Sequence, residues 1–303
     1  MSHLSTYFYL TMAAVFWGGT FVAGRQLAPL LDPYAAAFLR FFLASILLSA
    51  WLYWQLGRFP RVTARQLLAL TMLGATGVLA YNLLFFAGLQ TVEAGRASLI
   101  IAANPVLIAL ASSWFFREPL GPVRILGIVL SVSGAMVVIG RGDLTGLLSG
   151  GVGTGEWMLL GCVISWVTYT LIGKRVLHGM SPLSAVCYSS MAGTLMLGAV
   201  MFVQGGIDVA ALEKAEVWLY IVYLAVFGTV LGFVWFYKGV HALGAARAGQ
   251  FINLVPVSGI CLGAWMLDES VTRSLLLGAG LVLLGLWLTN RRAAEPSERR
   301  ETG

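Results

Sequence analysis

The sequence predicts an all-α polytopic membrane protein: ten transmembrane helices arranged as two inverted five-helix repeats, with both termini cytoplasmic. Three observations predict it. Of 303 residues, 59% are hydrophobic and only 11% charged, against roughly 25% charged in a soluble domain. Apolar runs of about 20 residues, the length that crosses a bilayer, occur ten times. The stretch Arg96 to Glu118, RASLIIAANPVLIALASSWFFRE, returns 151 positions later as RAGQFINLVPVSGICLGAWMLDE, Arg247 to Glu269, with Arg96/Arg247, Pro105/Pro256, Trp114/Trp265 and Glu118/Glu269 identical.

The same shift of 151 pairs Gly77 with Gly228, Phe85 with Phe236, Gly127 with Gly278 and Gly134 with Gly285, while nearer the N-terminus a shift of 149 pairs Trp17 with Trp166, Gly24 with Gly173 and Pro33 with Pro182. The chain is therefore a duplication, and the repeat defines its architecture. Five spans per copy is an odd number, so the second copy enters the membrane from the opposite side. Inverted repeats of this kind are characteristic of secondary transporters, with the substrate site near the midplane between the halves.

In order along the chain, the first repeat (1–140) holds spans one to five at 7–28, 34–54, 67–86, 97–116 and 123–140. A linker at 141–156, RGDLTGLLSGGVGTGE, is rich in Gly, Ser and Thr and reads as flexible. The second repeat (157–290) holds spans six to ten at 157–176, 183–203, 217–237, 248–267 and 271–289. The polar tail 291–303, RRAAEPSERRETG, reads as disordered in the cytoplasm. No basic region precedes the first apolar run, so a cleaved signal peptide is not expected.

The net charge of +6 does not point to nucleic acid, because of where the charges sit. With the N-terminus inside, the inner segments carry Arg58, Arg61 and Arg65, then Arg117 and Arg124, Lys174 and Arg175, Lys238 and Arg247, and four arginines in the tail. The outer segments carry one each: Arg25, Arg96, Arg141, Lys214 and Arg273. This asymmetry places both termini in the cytoplasm. Cys162, Cys187 and Cys261 fall inside spans and read as small packing residues. The spacings Gly228/Gly232 and Gly259/Gly263 suit close helix approach inside one bundle or at a dimer face, the former being favoured.

Pro105 and Pro256 lie mid-span in spans four and nine. Each removes a backbone donor and is expected to bend its helix. Asn104 and Asn253 lie beside these positions and offer amides to a polar ligand. A plain kink, with its Asn bonded to a neighbouring helix, explains one such proline; two in register in inverted copies point to a hinge or cavity wall. Trp17 and Thr20 in span one, and Trp166 with Tyr169 in span six, share a helical face by spacing. Tyr81 and Asn82 interrupt the apolar run of span three. An aromatic pocket with a few amides and hydroxyls suits a small, partly apolar zwitterion, although membrane aromatics also serve as packing or interface anchors.

Arg40 is the one formal charge well inside a span. A substrate carboxylate is one possible partner, but its nearness to the outer end favours snorkelling or bonding to helix carbonyls. The acidic residues lie in loops, tails or at span ends, among them Glu118 and Glu269, either solvated or in gate ion pairs. Proton relays use membrane-embedded carboxylates or histidines, so transport down the substrate gradient without obligatory proton exchange is expected. No Walker, zincin or serine-elbow motif occurs; neither an enzyme activity nor a cofactor nor a metal is expected.

The segments AVFWGGTFVAGR (Ala14 to Arg25), DPYAAAFLRFFLA (Asp32 to Ala44) and GLQTVEAGRASLIIAANPVLIALASSWFFREPLGPVRILGIVLSVSGAMVVI (Gly88 to Ile139) resemble the drug/metabolite transporter superfamily in its ten-helix EamA-type branch. Within it the chain looks most like bacterial inner-membrane exporters of aromatic and other neutral amino acids. The resemblance implies a central cavity that opens to one side at a time, with Tyr81, Asn82, Asn104 and Trp166 lining it. It implies a structural role for Arg40 in the LRFFLA motif. Partners are then the substrate and the lipid bilayer, with no nucleic acid and no obligatory protein partner; the alternative is a broad-specificity drug or metabolite efflux transporter. Small four-helix multidrug relatives use a glutamate in their first helix for proton coupling, and span one has none.

Overall fold

The structure is a computed structural model that describes residues 3–117, 121–143, 152–176, 180–243 and 245–290. Among these residues it is helical, with no strand. Among the described residues nine helices are long and apolar enough to cross a membrane: Leu4–Leu27, Pro33–Leu56, Ala64–Leu89, Ala94–Phe115, Pro122–Ile139, Thr154–Gly173, Pro182–Val203, Ala215–Val240 and Ala248–Leu267. A shorter apolar helix, Arg273–Thr289, follows. These correspond to the ten apolar runs and keep their span names below. Glu118, most of the linker and the charged tail lie outside the described residues.

Local chemistry sets the helix ends. Proline occupies the first turn of spans two, five and seven, at Pro33, Pro122 and Pro182, where its missing N–H costs nothing and its φ suits the helix. Thr63 and Gln66 form a reciprocal capping box at the start of span three. Span two ends on Gly57, left-handed at φ 66°, the usual glycine terminator.

The side-chain contacts carry the inverted symmetry. A Cβ on Gly127 would lie 2.6 Å from the Gly285 carbonyl oxygen, and one on Gly134 would lie 2.8 Å from that of Gly278. Because the repeat pairs Gly127 with Gly278 and Gly134 with Gly285, these antiparallel contacts between spans five and ten exchange under a two-fold operation, as in a self-complementary interface. Ser45 hydrogen-bonds Thr194 at 2.9 Å, and the shift of 149 makes the two residues repeat mates. A residue meets its own mate only near a two-fold axis, so spans two and seven flank that axis.

The symmetry extends to irregular backbone. Span three contains a π-helical segment at Gly74–Ala80 and span eight one at Val226–Leu231, in register under the shift of 151. Spans four and nine are both interrupted. Span four is a helix over Ala94–Ile101, a turn, and a second helix over Asn104–Phe116. Span nine runs Ala245–Gln250, a 3-10 turn Phe251–Asn253, then Leu254–Leu267. The sequence expectation of a bend at each proline is met with a displacement: the break precedes the proline, which sits in the first turn of the new helix. A first-turn proline loses no hydrogen bond, which is why the interruption falls N-terminal to it. Repeat mates Arg117 and Asp268 end these spans in the left-handed region, at φ 56° and 52°.

The two ends of the molecule are not equivalent. Ala94–Ile101 of span four packs against Leu254–Leu267 of span nine and against span six, with Ser98 Oγ 3.5 Å from the Pro256 carbonyl. The opposite halves, Asn104–Phe116 and Ala245–Gln250, do not pack on one another in this way among the described residues. The bundle is closed at the Ala94 end. Both glycine spacings face inward: Gly228 abuts Thr20, Gly232 abuts Trp17, Gly259 abuts Ser98 and Gly263 abuts Glu269, so they serve packing within one bundle.

Candidate functional site

Two aromatic clusters form where the first helix of one half meets the third helix of the other. In the first, Trp17 of span one lies 5.7 Å from Phe233 and 5.3 Å from Phe236 of span eight, centroid to centroid. Its indole N–H donates to the Gly228 carbonyl at 3.1 Å, a carbonyl inside the π-helical segment, where the helical ladder is locally disrupted. Thr20, one turn on, donates its hydroxyl to the Trp17 carbonyl at 2.6 Å and lays its methyl over Gly228. The second cluster is the mate of the first. Trp166 of span six lies 5.4 Å from Tyr81 of span three and 5.0 Å from Tyr169, and Tyr169 covers Gly77 as Thr20 covers Gly228.

Phe85 extends the second cluster, 6.0 Å from Tyr81 and 5.3 Å from Phe21 of span one. Trp17, Tyr81, Trp166 and Tyr169 are each partly buried. Of the predicted residues, the structure thus brings together Trp17 with Thr20, and Tyr81 with Trp166 and Tyr169. Phe21, through Phe85, belongs to the Tyr81 cluster, and the Trp17 cluster adds Phe233 and Phe236. The pairing of Phe236 with Phe85 under the repeat is the sequence signal for the last of these.

Arg40 is where the structure corrects the sequence expectation. It is 8% exposed and neither snorkels nor bonds helix carbonyls. Its Nη1 donates to Asn82 Oδ1 at 3.0 Å, and its Nε and Nη2 donate to Thr229 Oγ1 at 3.4 and 3.3 Å. The physical reason is the packing of span two against both π-bulged spans, three and eight, which surrounds the guanidinium before it can reach an interface. Its partners are neutral. Asn82, 1% exposed, also donates to the Val78 carbonyl at 2.8 Å. Its amide is committed to the protein.

Asn104 and Asn253 differ from Asn82. Each sits at the interruption of its span, and the Oδ1 of each is buried with no hydrogen-bond partner among the described residues. Asn104 as a whole is 8% exposed. Pro105 is partly buried and Pro256 buried beside these breaks.

A group of charged residues gathers at the Ala94 end. Glu269 accepts hydrogen bonds from the backbone N–H groups of Ala94 and Gly95, at 2.6 and 2.9 Å; it is not solvated at a helix end. Arg96 pairs with Glu156 at 3.5 Å and donates to the carbonyls of Val138 and Ile139. Arg25 donates to the Leu89 carbonyl at 2.6 Å. A polar cleft of about 240 Å³, lined by residues including Glu93, Arg96, Arg141 and Ser270, opens at this end, away from the mid-span aromatic clusters. Among the described residues no cluster of His, Cys, Asp or Glu is arranged to hold a metal.

A family profile described as the EamA-like transporter family matches residues 4–140 and 153–291, one match per half. Among curated proteins, the chain is 26% identical over 287 residues to the uncharacterized transporter YyaM of Bacillus subtilis, covering 94% of this chain and 93% of the relative. It is 31% identical over 298 residues to a probable terminal-alkyne amino-acid exporter of Streptantibioticus cattleyicolor, covering 96% and 95%. A solved crystal structure shares the fold with a TM-score of 0.66 at 17% identity, over 95% of this chain and 98% of that one.

Proposed function

The chain belongs to the EamA-like transporter family, and from that premise we propose that it exports small neutral, chiefly aromatic, amino acids across the inner membrane by alternating access. In this reading the ten apolar runs are ten crossings, and the excess of basic residues on the inner segments puts both termini in the cytoplasm. The observation that carries the substrate reading is the pair of buried, unpartnered amide oxygens at the two helix breaks, Asn104 Oδ1 and Asn253 Oδ1. A buried acceptor left unpaired costs about 1–3 kcal/mol. An ammonium group offers donors only, so a zwitterion's ammonium relieves that cost, while the aromatic walls suit a flat side chain. The amino-acid exporter among the relatives supports the same class.

Coupling to protons is not required in this mechanism. The carboxylates that the structure places, such as Asp32, Glu93, Glu156 and Glu269, sit at span ends and not beside the aromatic clusters. Pro105 and Pro256 fix where each broken span restarts, and the irregular turns before them serve as the hinges about which the halves exchange exposure.

The test is uptake of labelled tryptophan into liposomes containing the purified protein, with and without an imposed pH gradient. Protein-dependent flux indifferent to the gradient is the expected result. Flux that requires the gradient would refute the uncoupled mechanism. No flux above protein-free liposomes would reject tryptophan, and transport of an apolar organic cation instead would favour the broad efflux alternative.

A further inference from the structure

We propose that Glu269 is the outer latch of the transport cycle, a positioning residue whose carboxylate holds the two halves together at the extracytoplasmic end. The proposal rests on the alternating-access reading above. Span nine ends with Asp268 in the left-handed region at φ 52°, and the Glu269 N–H turns back to the Gly263 carbonyl at 3.3 Å. That turn carries the side chain across the interface onto the opposite half. There both carboxylate oxygens are occupied, Oε1 by the Ala94 N–H at 2.6 Å and Oε2 by the Gly95 N–H at 2.9 Å. These are the first N–H groups of span four, which lack intrahelical acceptors, and a carboxylate there makes charge-assisted bonds aligned with the helix dipole.

Three features show that the contact is built for close approach. A Cβ on Gly263 would come within 2.5 Å of Glu269 Oε2, and one on Gly95 would lie 3.3 Å from the Ile260 Cα. Ser98, one turn deeper, is 1% exposed; its hydroxyl donates to the Gly95 carbonyl at 2.7 Å and lies 3.5 Å from the Pro256 carbonyl across the same seam. The Arg96–Glu156 pair joins span four to span six beside it, and the polar cleft along Arg96 and Ser270 brings solvent to the flank of the latch. Solvent at the flank can take over the two N–H groups when the carboxylate leaves. The latch therefore opens without stranding buried donors, as a repeating gate requires.

The experiment reads which side the seam opens to. Ser98→Cys is introduced, and membrane-impermeant maleimide is applied from the outer side of right-side-out vesicles, without substrate. Labelling at position 98 is read by peptide mass spectrometry, together with labelling of the native, buried Cys187 as a control for general loosening. Glu269→Gln, which keeps one acceptor oxygen, and Gly263→Ala, which displaces the carboxylate but keeps its charge, should each raise outer labelling at position 98 on the order of tenfold, with Cys187 unchanged. No rise in either variant, or an equal rise at Cys187, overturns the proposal. Because no substrate is present, a failure of tryptophan transport leaves this result intact, and a failed latch leaves the flux result intact.

Discussion

Arg40 donates to Asn82 on one side and Thr229 on the other, tying span two to spans three and eight beside both π-helical segments. Removing the guanidinium orphans the Asn82 oxygen, which costs about 1–3 kcal/mol when buried. Removing both partners costs less than the sum. Arg40→Leu should lower the thermal unfolding midpoint in detergent. A cycle with Asn82→Leu should show coupling on the order of 0.5–3 kcal/mol, and strict additivity would deny the bond a stabilising role. Asn104 and Asn253 should behave differently. Their oxygens have no protein partner among the described residues, so Asn104→Leu and Asn253→Leu should leave the midpoint unchanged or raised while weakening tryptophan transport about tenfold or more, the loss expected for a hydrogen bond to a charged group. A variant that unfolds but transports normally per folded molecule would reverse that assignment.

At the scale of the element, spans four and nine were legible as special in the sequence, because a mid-span proline occurs at the same place in both copies. The site of the interruption was not, since hydropathy and spacing do not show whether a proline kinks a helix or opens a new one. The π-helical segments were likewise hidden: an extra residue in a turn changes hydrogen-bond register and leaves composition untouched. Pro105→Ala with Pro256→Ala should let helix propagate into the breaks and depress transport while leaving folding intact; unchanged transport would remove the hinge from the mechanism. For spans five and ten the expectation is the reverse. Gly127→Leu inserts a side chain against the Gly285 backbone, an overpacking cost of typically 1–3 kcal/mol. It should reduce stability measured by thermal unfolding before it affects substrate affinity.

For the whole molecule, the duplication and its inversion could be read directly from the chain, because self-similarity and an odd span count are one-dimensional facts. What spans meet which others is not one-dimensional. Depth along the helix placed Arg40 near an interface, but only the packing of spans two, three and eight around it shows that it is enclosed. The repeat offset placed Glu269 at a span end, and only the turn at Asp268 shows that it crosses to the other half. The same logic explains why the contacts between halves were not found: Trp17 and Tyr81 sit in one half, and Phe233, Phe236 and Trp166, which meet them, come from the other.

The central claim is that two inverted halves expose one amino-acid site alternately to the two sides of the membrane, and substrate counterflow tests it most directly. Liposomes containing the protein are loaded with concentrated unlabelled tryptophan and diluted into a trace of labelled tryptophan. An alternating carrier predicts transient accumulation of label inside above its equilibrium level, followed by decay. Label that rises to equilibrium without overshoot, or no faster than in protein-free liposomes, would contradict the account.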